Sequence, residues 1–323
     1  MAFLVAISVI LPQSYAFATP DPLAVLSMEL AAASVQQKLP LDVQPPPSEW
    51  GTSQWTHDAF SLPNNFCFAL RTDVQVPVQA CHFGDLHSRK LLALFGDSQI
   101  YQWLPAFDLW GTQNGWQVVM LSKAGCHPWP SPTYTYDEHR SAGDTVIPYP
   151  ECPIFNAWAK RQLVKLKPTL TIVSGGIGTL SSLASEHAIG IEQGVATLVS
   201  SIAKTGSKVI MLGNTPWFIQ DQPSPLCLSL HTTAVARCSI STSLLTSPTR
   251  PLMAEMSRAI DMIAKDNVVP VVRVLPLLCT TRRCPTVSAS TVMYFDGTHI
   301  SHQWAIHVVP ALSELLQPFL GTT

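Results

Sequence analysis

Charged residues are scarce in this 323-residue sequence, where Asp, Glu, Lys and Arg together make up only 12%. The formal net charge is −2 and no basic cluster occurs, which argues against nucleic acid as the main partner. The motif C-x-x-C is absent and the ten histidines have no neighbouring group of carboxylates, so we predict neither a metal site nor a cofactor. Hydrophobic residues make up 47%, which is enough for a sizeable core.

Eight cysteines fall into four local couples along the chain. Short loops lose the least chain entropy on closure, so we predict disulfides between neighbours, at 67–81, 126–152, 227–238 and 279–284. Such bonds indicate an oxidising compartment. The alternative is a cytosolic enzyme with eight buried free thiols, because free cysteine is an ordinary core residue.

The first 18 residues contain no charged side chain and include the apolar run Ala2–Ile10. The sequence Ala16-Phe17-Ala18 is typical of a signal-peptide cleavage site, although the Lys or Arg that usually opens a signal peptide is missing. A second interpretation is the remnant of a transmembrane helix, and a third is a buried segment. Either of the first two places the rest of the chain outside the cytoplasm, in a periplasm or at the outer face of a membrane.

Residues 19–63 are rich in Pro, Ser, Gln and Ala, and 45–47 is a run of three prolines. Such a run is a stiff, extended spacer, so we predict a linker over 19–63, with a short helix at Met28–Gln37 as its only element. The folded domain is then predicted over residues 64–323.

From residue 90 onward, short apolar runs alternate with longer amphipathic ones. The predicted strands are Leu91–Phe95, Gln117–Leu121, Leu170–Val173, Val209–Leu212 and Val268–Leu275. The predicted helices are Ile100–Trp110, Ile154–Lys167, Glu192–Thr205, Met253–Lys265 and Ser301–Leu316. Alternating strands and helices predict an α/β fold, a three-layer α/β/α sandwich with a parallel, flavodoxin-like sheet.

Two long stretches without periodicity, Lys123–Pro150 and Gly213–Thr249, interrupt this pattern after predicted strands. Loops of this length tend to be functional, and ligands of parallel sheets bind at the carboxyl edge. Trp129 and Trp217 lie on these loops, where an aromatic ring either stacks on a sugar or packs its own loop. Trp103, Trp116 and Trp158 are predicted to belong to the core.

The first candidate for chemistry is Gly96-Asp97-Ser98, which follows a buried strand and precedes a helix. A serine in this position is exposed at the carboxyl end of the strand, next to backbone N–H groups that can hold a developing negative charge. The structural alternative is a serine that only caps the helix.

The second candidate is the sequence Asp296-Gly297-Thr298-His299, just before the last predicted helix. An Asp three residues before a His can accept the Nδ1–H of the ring and leave Nε2 to face a nucleophile. A serine hydroxyl needs such a base at neutral pH. The structural alternative is Asp296 as a helix cap with His299 at the surface.

The two candidates together resemble the SGNH (GDSL-type) hydrolases. The resemblance narrows to the extracytoplasmic SGNH domain attached to bacterial acyltransferase-3 membrane proteins and covers roughly residues 64–316. It rests on the ordered series KLLALFGDSQIYQWLPAF, GWQVVMLSKAGCHP, KVIMLGNTPW with two cysteines, CTTRRCP and VMYFDGTHIS.

The resemblance implies transfer of an O-acyl group, usually acetyl, on cell-envelope carbohydrate, with an acyl donor and a carbohydrate acceptor as partners. It also implies a membrane acyltransferase domain or protein as a further partner. The implied roles are Ser98 as nucleophile, His299 as base, Asp296 as the group that orients it, and the N–H groups of Ser98 and Gly125 as the oxyanion hole. Transfer and ester hydrolysis are both compatible with these roles.

The sequence departs from the family pattern at two positions. Gln99 stands where a histidine usually follows Gly-Asp-Ser. The third sequence block of the SGNH hydrolases, which corresponds here to residues 173–178, normally supplies an Asn side chain to the oxyanion hole, and Ile177 stands in its place. Loss of one oxyanion donor can lower the rate by ~10²–10³-fold. Asn214, at the end of the neighbouring strand, is a candidate substitute.

Two other functions are therefore retained as alternatives. One is a catalytically silent envelope module that binds glycans, and the other is a fragment of a larger membrane acyltransferase. A cysteine nucleophile at Cys126 beside His127 is a further reading, although we expect Cys126 to be in a disulfide.

Overall fold

The computed structural model describes residues 20–50, 65–131, 134–137, 146–176, 188–217 and 224–320. The helices are α1 Pro22–Val35, α2 Ser98–Tyr101, α3 Leu104–Asn114, α4 Glu151–Leu166, α5 Ala188–Ala203, α6 Ser224–Leu230, α7 Pro251–Lys265, α8 His302–His307 and α9 Val309–Leu320. The strands that precede the second long loop are β1 Phe68–Ala69, β2 His82–Gly84, β3 Leu91–Gly96, β4 Gln117–Lys123, β5 Thr135–Asp137, β6 Val146–Pro148, β7 Leu170–Ser174 and β8 Lys208–Leu212. Those that follow are β9 Ile240–Ser241, β10 Val271–Val272, β11 Arg283–Cys284, β12 Val287–Ser288 and β13 Thr291–Val292.

The central sheet has the order β1-β4-β3-β7-β8-β10, and every neighbouring pair on this path is parallel. The chain passes from β3 to β4 on one side and then returns to β7, β8 and β10 on the other. This is the flavodoxin-like order and confirms the predicted α/β class. Among the described strands, β2 adds an antiparallel edge to β4.

Alternate residues of the strands supply two separate cores, because successive side chains of a strand point to opposite faces. On β3, Leu92 and Leu94 face one core while Ala93 and Phe95 face the other. Helices α1, α3, α8 and α9 cover the first face, and α4, α5 and α7 cover the second. The three layers match the predicted sandwich, and Trp103, Trp116 and Trp158 are buried as predicted.

The prediction of a linker over 19–63 is wrong for much of its described part, because α1 is packed on the domain. Leu26, Leu30 and Ala33 lie on one face of α1 and are buried, and the two leucines belong to the core shared with α9. The carboxylate of Asp21 caps the helix by accepting the N–H groups of Leu23 and Ala24. The domain therefore includes α1, which the sequence analysis left outside it.

This packing predicts that Leu30→Ala lowers the free energy of unfolding by about 2–4 kcal/mol, because a fully buried side chain is removed and a cavity remains. Leu30 is 0% exposed, whereas Met28 on the same helix is 66% exposed. Denaturant unfolding of Leu30→Ala beside Met28→Ala measures the difference. Equal stability of the two variants would show that α1 is not part of the folded unit.

Three other predicted elements are divided or shortened, and proline explains the two divisions. Pro105 interrupts the helix predicted at Ile100–Trp110 and divides it into α2 and α3, because proline has no N–H for the preceding turn. Pro310 likewise separates α8 from α9 within the helix predicted at Ser301–Leu316. The strand predicted at Val268–Leu275 is reduced to β10 at the edge of the sheet.

The four predicted disulfides are all confirmed. They join Cys67 to Cys81, Cys126 to Cys152, Cys227 to Cys238 and Cys279 to Cys284. The free-thiol alternative and the cysteine nucleophile are therefore wrong. Within the described ranges, no helix has both the length and the hydropathy that a bilayer crossing requires.

Candidate active site

The candidate site lies at the carboxyl edge of the sheet, where the loops after strands β3, β4 and β7 meet. Gly96 at the end of β3 is paired with Ser122 of β4 on one side and with Ser174 of β7 on the other. Because these ends are adjacent, the loops that begin at residues 97, 124 and 175 start side by side. This is the point at which the strand order reverses, where parallel sheets commonly bind ligands.

The serine turn is held by its preceding aspartate. Asp97 Oδ1 accepts the N–H of Gln99 at 2.8 Å, and Oδ2 accepts the N–H of Gly176 at 2.8 Å. Ser98, the first residue of α2, is only 8% exposed, so the prediction of an exposed serine is wrong. Burial raises the pKa of Asp97, and the two N–H donors and nearby His127 and His299 oppose this shift.

Glycine is required before this turn because the backbones of two strands approach closely. A Cβ atom at Gly96 would lie 1.8 Å from the carbonyl oxygen of Ser174, far inside van der Waals contact. The glycine of Gly-Asp-Ser thus lets the third-block loop reach Asp97.

The sequence Asp296-Gly297-Thr298-His299 forms a closed turn around one carboxylate. Asp296 Oδ2 lies 2.8 Å from His299 Nδ1, and Oδ1 accepts the N–H groups of Thr298 and His299 at 2.6 and 2.9 Å. Because a carboxylate only accepts, Nδ1 carries the proton and the lone pair of the neutral ring is on Nε2. The imidazole is buried, while the carboxylate of Asp296 is about one-third exposed.

The structure brings the serine helix and the histidine turn into contact, although about 200 residues separate them. Gln99 Nε2 donates to the carbonyl oxygen of Thr298 at 3.3 Å. Gln102 Oε1 accepts the N–H of Ile300 at 2.7 Å. The segment that begins with Ser98 and the turn that contains His299 are therefore in contact, as the proposed chemistry requires. The catalytic roles of the individual residues stay predictions.

Gly125 lies in the loop after β4 and has a left-handed backbone with φ of +59°, which favours glycine. Its N–H donates to no backbone carbonyl among the described residues, whereas the next N–H, of Cys126, donates to the backbone carbonyl oxygen of Lys123. The Cys126–Cys152 disulfide and a bond from Asn156 to the carbonyl of His127 fix the following residues. The loop is thus braced by α4.

Lys123 anchors the other end of this loop and was not singled out by the sequence analysis. Its buried ammonium donates to the carbonyl oxygens of Leu70, Arg71 and Asp73 at 2.6–2.7 Å and lies over the ring of Tyr149. Burial lowers the pKa of Lys123 to about 8. A lysine that ends a buried strand is the sequence signal that could have identified it.

The third-block loop contributes Gly175 and Gly176, while Ile177 lies outside the described residues. Asn214 Nδ2 donates to the carbonyl oxygen of Gly175 at 2.9 Å, so one of its two hydrogens stabilises this loop. The rings of Trp129 and Trp217 pack against Gly175 and Gly176. Both tryptophans are buried, which fits the loop-packing interpretation. Asn214 as an oxyanion donor stays a prediction.

The chain is similar to several solved structures, which include the following three. The periplasmic domain of a lipopolysaccharide acetyltransferase from Salmonella ser. Paratyphi A aligns with a TM-score of 0.53 and 12% identity, over 78% of this chain and 91% of that one. A GDSL-like lipase from Bacteroides thetaiotaomicron aligns with a TM-score of 0.41 and 13% identity, over 71% and 89%. A variant of an acetyl-xylooligosaccharide esterase from Geobacillus aligns with a TM-score of 0.41 and 13% identity, over 74% and 100%.

Among curated proteins, no significant match is found. At these low identities the structural likeness shows the fold alone. The comparison with protein families identifies the family itself, because the family model described as "SGNH domain (fused to AT3 domains)" matches residues 67–314. The chain therefore belongs to the family of SGNH domains that are fused to AT3 domains.

Proposed function

We propose that this protein catalyses serine-dependent O-acyl transfer, most simply of an acetyl group, through an acyl-serine at Ser98. The observation that carries the proposal is the bond from His299 Nδ1 to Asp296, in a turn held against the helix that begins with Ser98. Family membership supports the same class of chemistry, acyl transfer or ester hydrolysis.

The proposed reaction has two halves. His299 Nε2 takes the hydroxyl proton of Ser98 while Oγ attacks the carbonyl carbon of an acyl donor. The N–H groups of Ser98 and Gly125 stabilise the tetrahedral oxyanion, and His299 returns the proton to the leaving group. In the second half, His299 takes a proton from a sugar hydroxyl or from water, whose oxygen attacks the carbonyl carbon of the acyl-serine. The bond from that carbon to Ser98 Oγ then breaks, and His299 returns the proton to Oγ.

We propose an extracytoplasmic location and a carbohydrate of the cell envelope as acceptor. Four disulfides support an oxidising compartment. The fusion of related domains to AT3 domains supports a membrane acyltransferase as the source of the acyl group. The relative with the highest TM-score of those described above is a periplasmic lipopolysaccharide acetyltransferase domain, which is consistent with such an acceptor.

A fluorophosphonate probe tests the nucleophile directly, because an activated serine displaces fluoride and becomes covalently phosphonylated. We expect a single labelled peptide that contains Ser98, found by mass spectrometry after proteolysis. Ser229→Ala, which alters an exposed serine on α6, is expected to label normally. Labelling that persists in Ser98→Ala would contradict the proposal.

The second candidate is the catalytically silent glycan-binding module, which the isoleucine in place of the third-block Asn favours. The same experiment separates the two functions. Glycan binding without covalent capture at Ser98 indicates the module, whereas capture indicates the enzyme.

A further inference from the structure

We infer that Gln99, Gln102 and Thr215 form an amide clamp that positions His299 relative to Ser98, and this inference rests on the proposed function. The three residues are buried, and the two glutamines are each 3% exposed. They are positioning residues, because their contacts are with the histidine turn and not with the reacting atoms.

The clamp holds the peptide groups on both sides of His299. Gln99 Nε2 donates to the carbonyl oxygen of Thr298 at 3.3 Å, just before the histidine. Gln102 Oε1 accepts the N–H of Ile300 at 2.7 Å, just after it. Gln99 on α2 and Gln102 at its C-terminal cap thus bind the peptide groups on both sides of His299.

Thr215, in the loop after β8, fixes the orientation of the first glutamine. Its backbone N–H donates to Gln99 Oε1 at 3.3 Å, and since an N–H only donates, the oxygen of the amide must face it. Its hydroxyl lies 3.1 Å from Gln99 Oε1 and 2.9 Å from the carbonyl of Thr298, and can donate to either one. Gln99 therefore joins three segments, which are α2, the loop after β8 and the turn that contains His299.

Asp296 cannot perform this task, because it belongs to the same turn as the histidine and moves with it. Asp296 orients the ring, whereas the clamp sets where the ring lies with respect to the serine. A misplacement of about 1 Å can lower a rate by about 100-fold. The clamp also gives a physical role to Gln99, one of the two residues at which the sequence departs from the family pattern.

Gln99→Glu tests the clamp through its pH dependence. The glutamate has the same shape, but its ionised form cannot donate to the Thr298 carbonyl, while its protonated form restores one donor and one acceptor. We expect kcat for hydrolysis of an activated acetyl ester to fall about 10–100-fold at pH 8, with KM within about two-fold of the wild-type value. The variant-to-wild-type ratio of kcat should then rise as the pH is lowered.

Two further variants make the result decisive. Gln99→Met keeps the volume but has no titratable group, so its loss of kcat should be the same at every pH. Gln113→Glu adds the same charge at an exposed position of α3 and should leave kcat unchanged. If Gln99→Glu fails to fold, the methionine variant alone decides, because wild-type kcat in it would overturn the clamp.

The outcomes also separate this inference from the proposed function. A wild-type protein without Ser98-dependent ester cleavage would remove both. An active wild-type protein whose Gln99 variants keep full kcat, or lose it only through a large increase in KM, would overturn the clamp alone.

Discussion

Replacement of Ser98 with alanine is expected to abolish the burst of product from an activated acetyl ester and to lower the turnover rate by roughly 10⁴-fold or more. The burst reports the acyl-serine, whose formation requires Oγ. The fold should survive, because the carboxylate of Asp97, and not the Ser98 side chain, caps α2. The change therefore removes the nucleophile and leaves its surroundings in place.

Rapid-mixing measurements on the wild-type protein, Ser98→Ala and Ser229→Ala would establish this. The burst amplitude should equal the concentration of active protein in the wild type and in the exposed-serine control. A burst of undiminished size in Ser98→Ala would assign the nucleophile to another residue and end the proposed mechanism.

Replacement of Asp296 with asparagine is expected to lower kcat/KM by about 10³–10⁴-fold through the tautomer of His299. Asparagine keeps one oxygen, which can still accept the N–H groups of Thr298 and His299 that Oδ1 accepts in the wild type. Its NH₂ group then faces Nδ1, where Oδ2 now lies at 2.8 Å. The ring must accept there, so its proton moves to Nε2 and the base is lost.

Kinetics and ¹⁵N NMR of the histidine ring measure the two parts of this prediction separately. The matched control is Asp261→Asn, which removes an exposed carboxylate on α7. If Asp296→Asn carries its proton on Nε2 and yet reacts at the wild-type rate, His299 is not the base. A variant that keeps both the wild-type tautomer and the wild-type rate would show that Asp296 does not orient the ring.

The sequence predicted the fold well where packing repeats along the chain. Strands such as β3 and β7 are mainly apolar runs that are buried on both faces, and this pattern is visible without a structure. Strands β1 and β2 have only two and three residues, too few to show a period. A short helix was predicted at Met28–Gln37, but its packing on the domain was missed, because the buried leucines of α1 lie between an apolar run and a proline-rich stretch.

The site was predictable only in part, for a similar reason. Both halves of the candidate machinery lie within short local motifs, so Ser98, Asp296 and His299 could be selected from the sequence. The contact of Gln99 with the Thr298 carbonyl joins residues 199 positions apart, and no local pattern reports it. Lys123 was missed because its partners are backbone carbonyls, which any sequence can supply.

The disulfide pattern has a consequence for the biogenesis of the protein. Each bond joins one cysteine to the next one along the chain, across 14, 26, 11 and 5 positions. In a polypeptide that is threaded across a membrane from its N-terminus, every cross-link can close before the following pair emerges. Oxidation in order of arrival would then yield the native connectivity without mispaired intermediates.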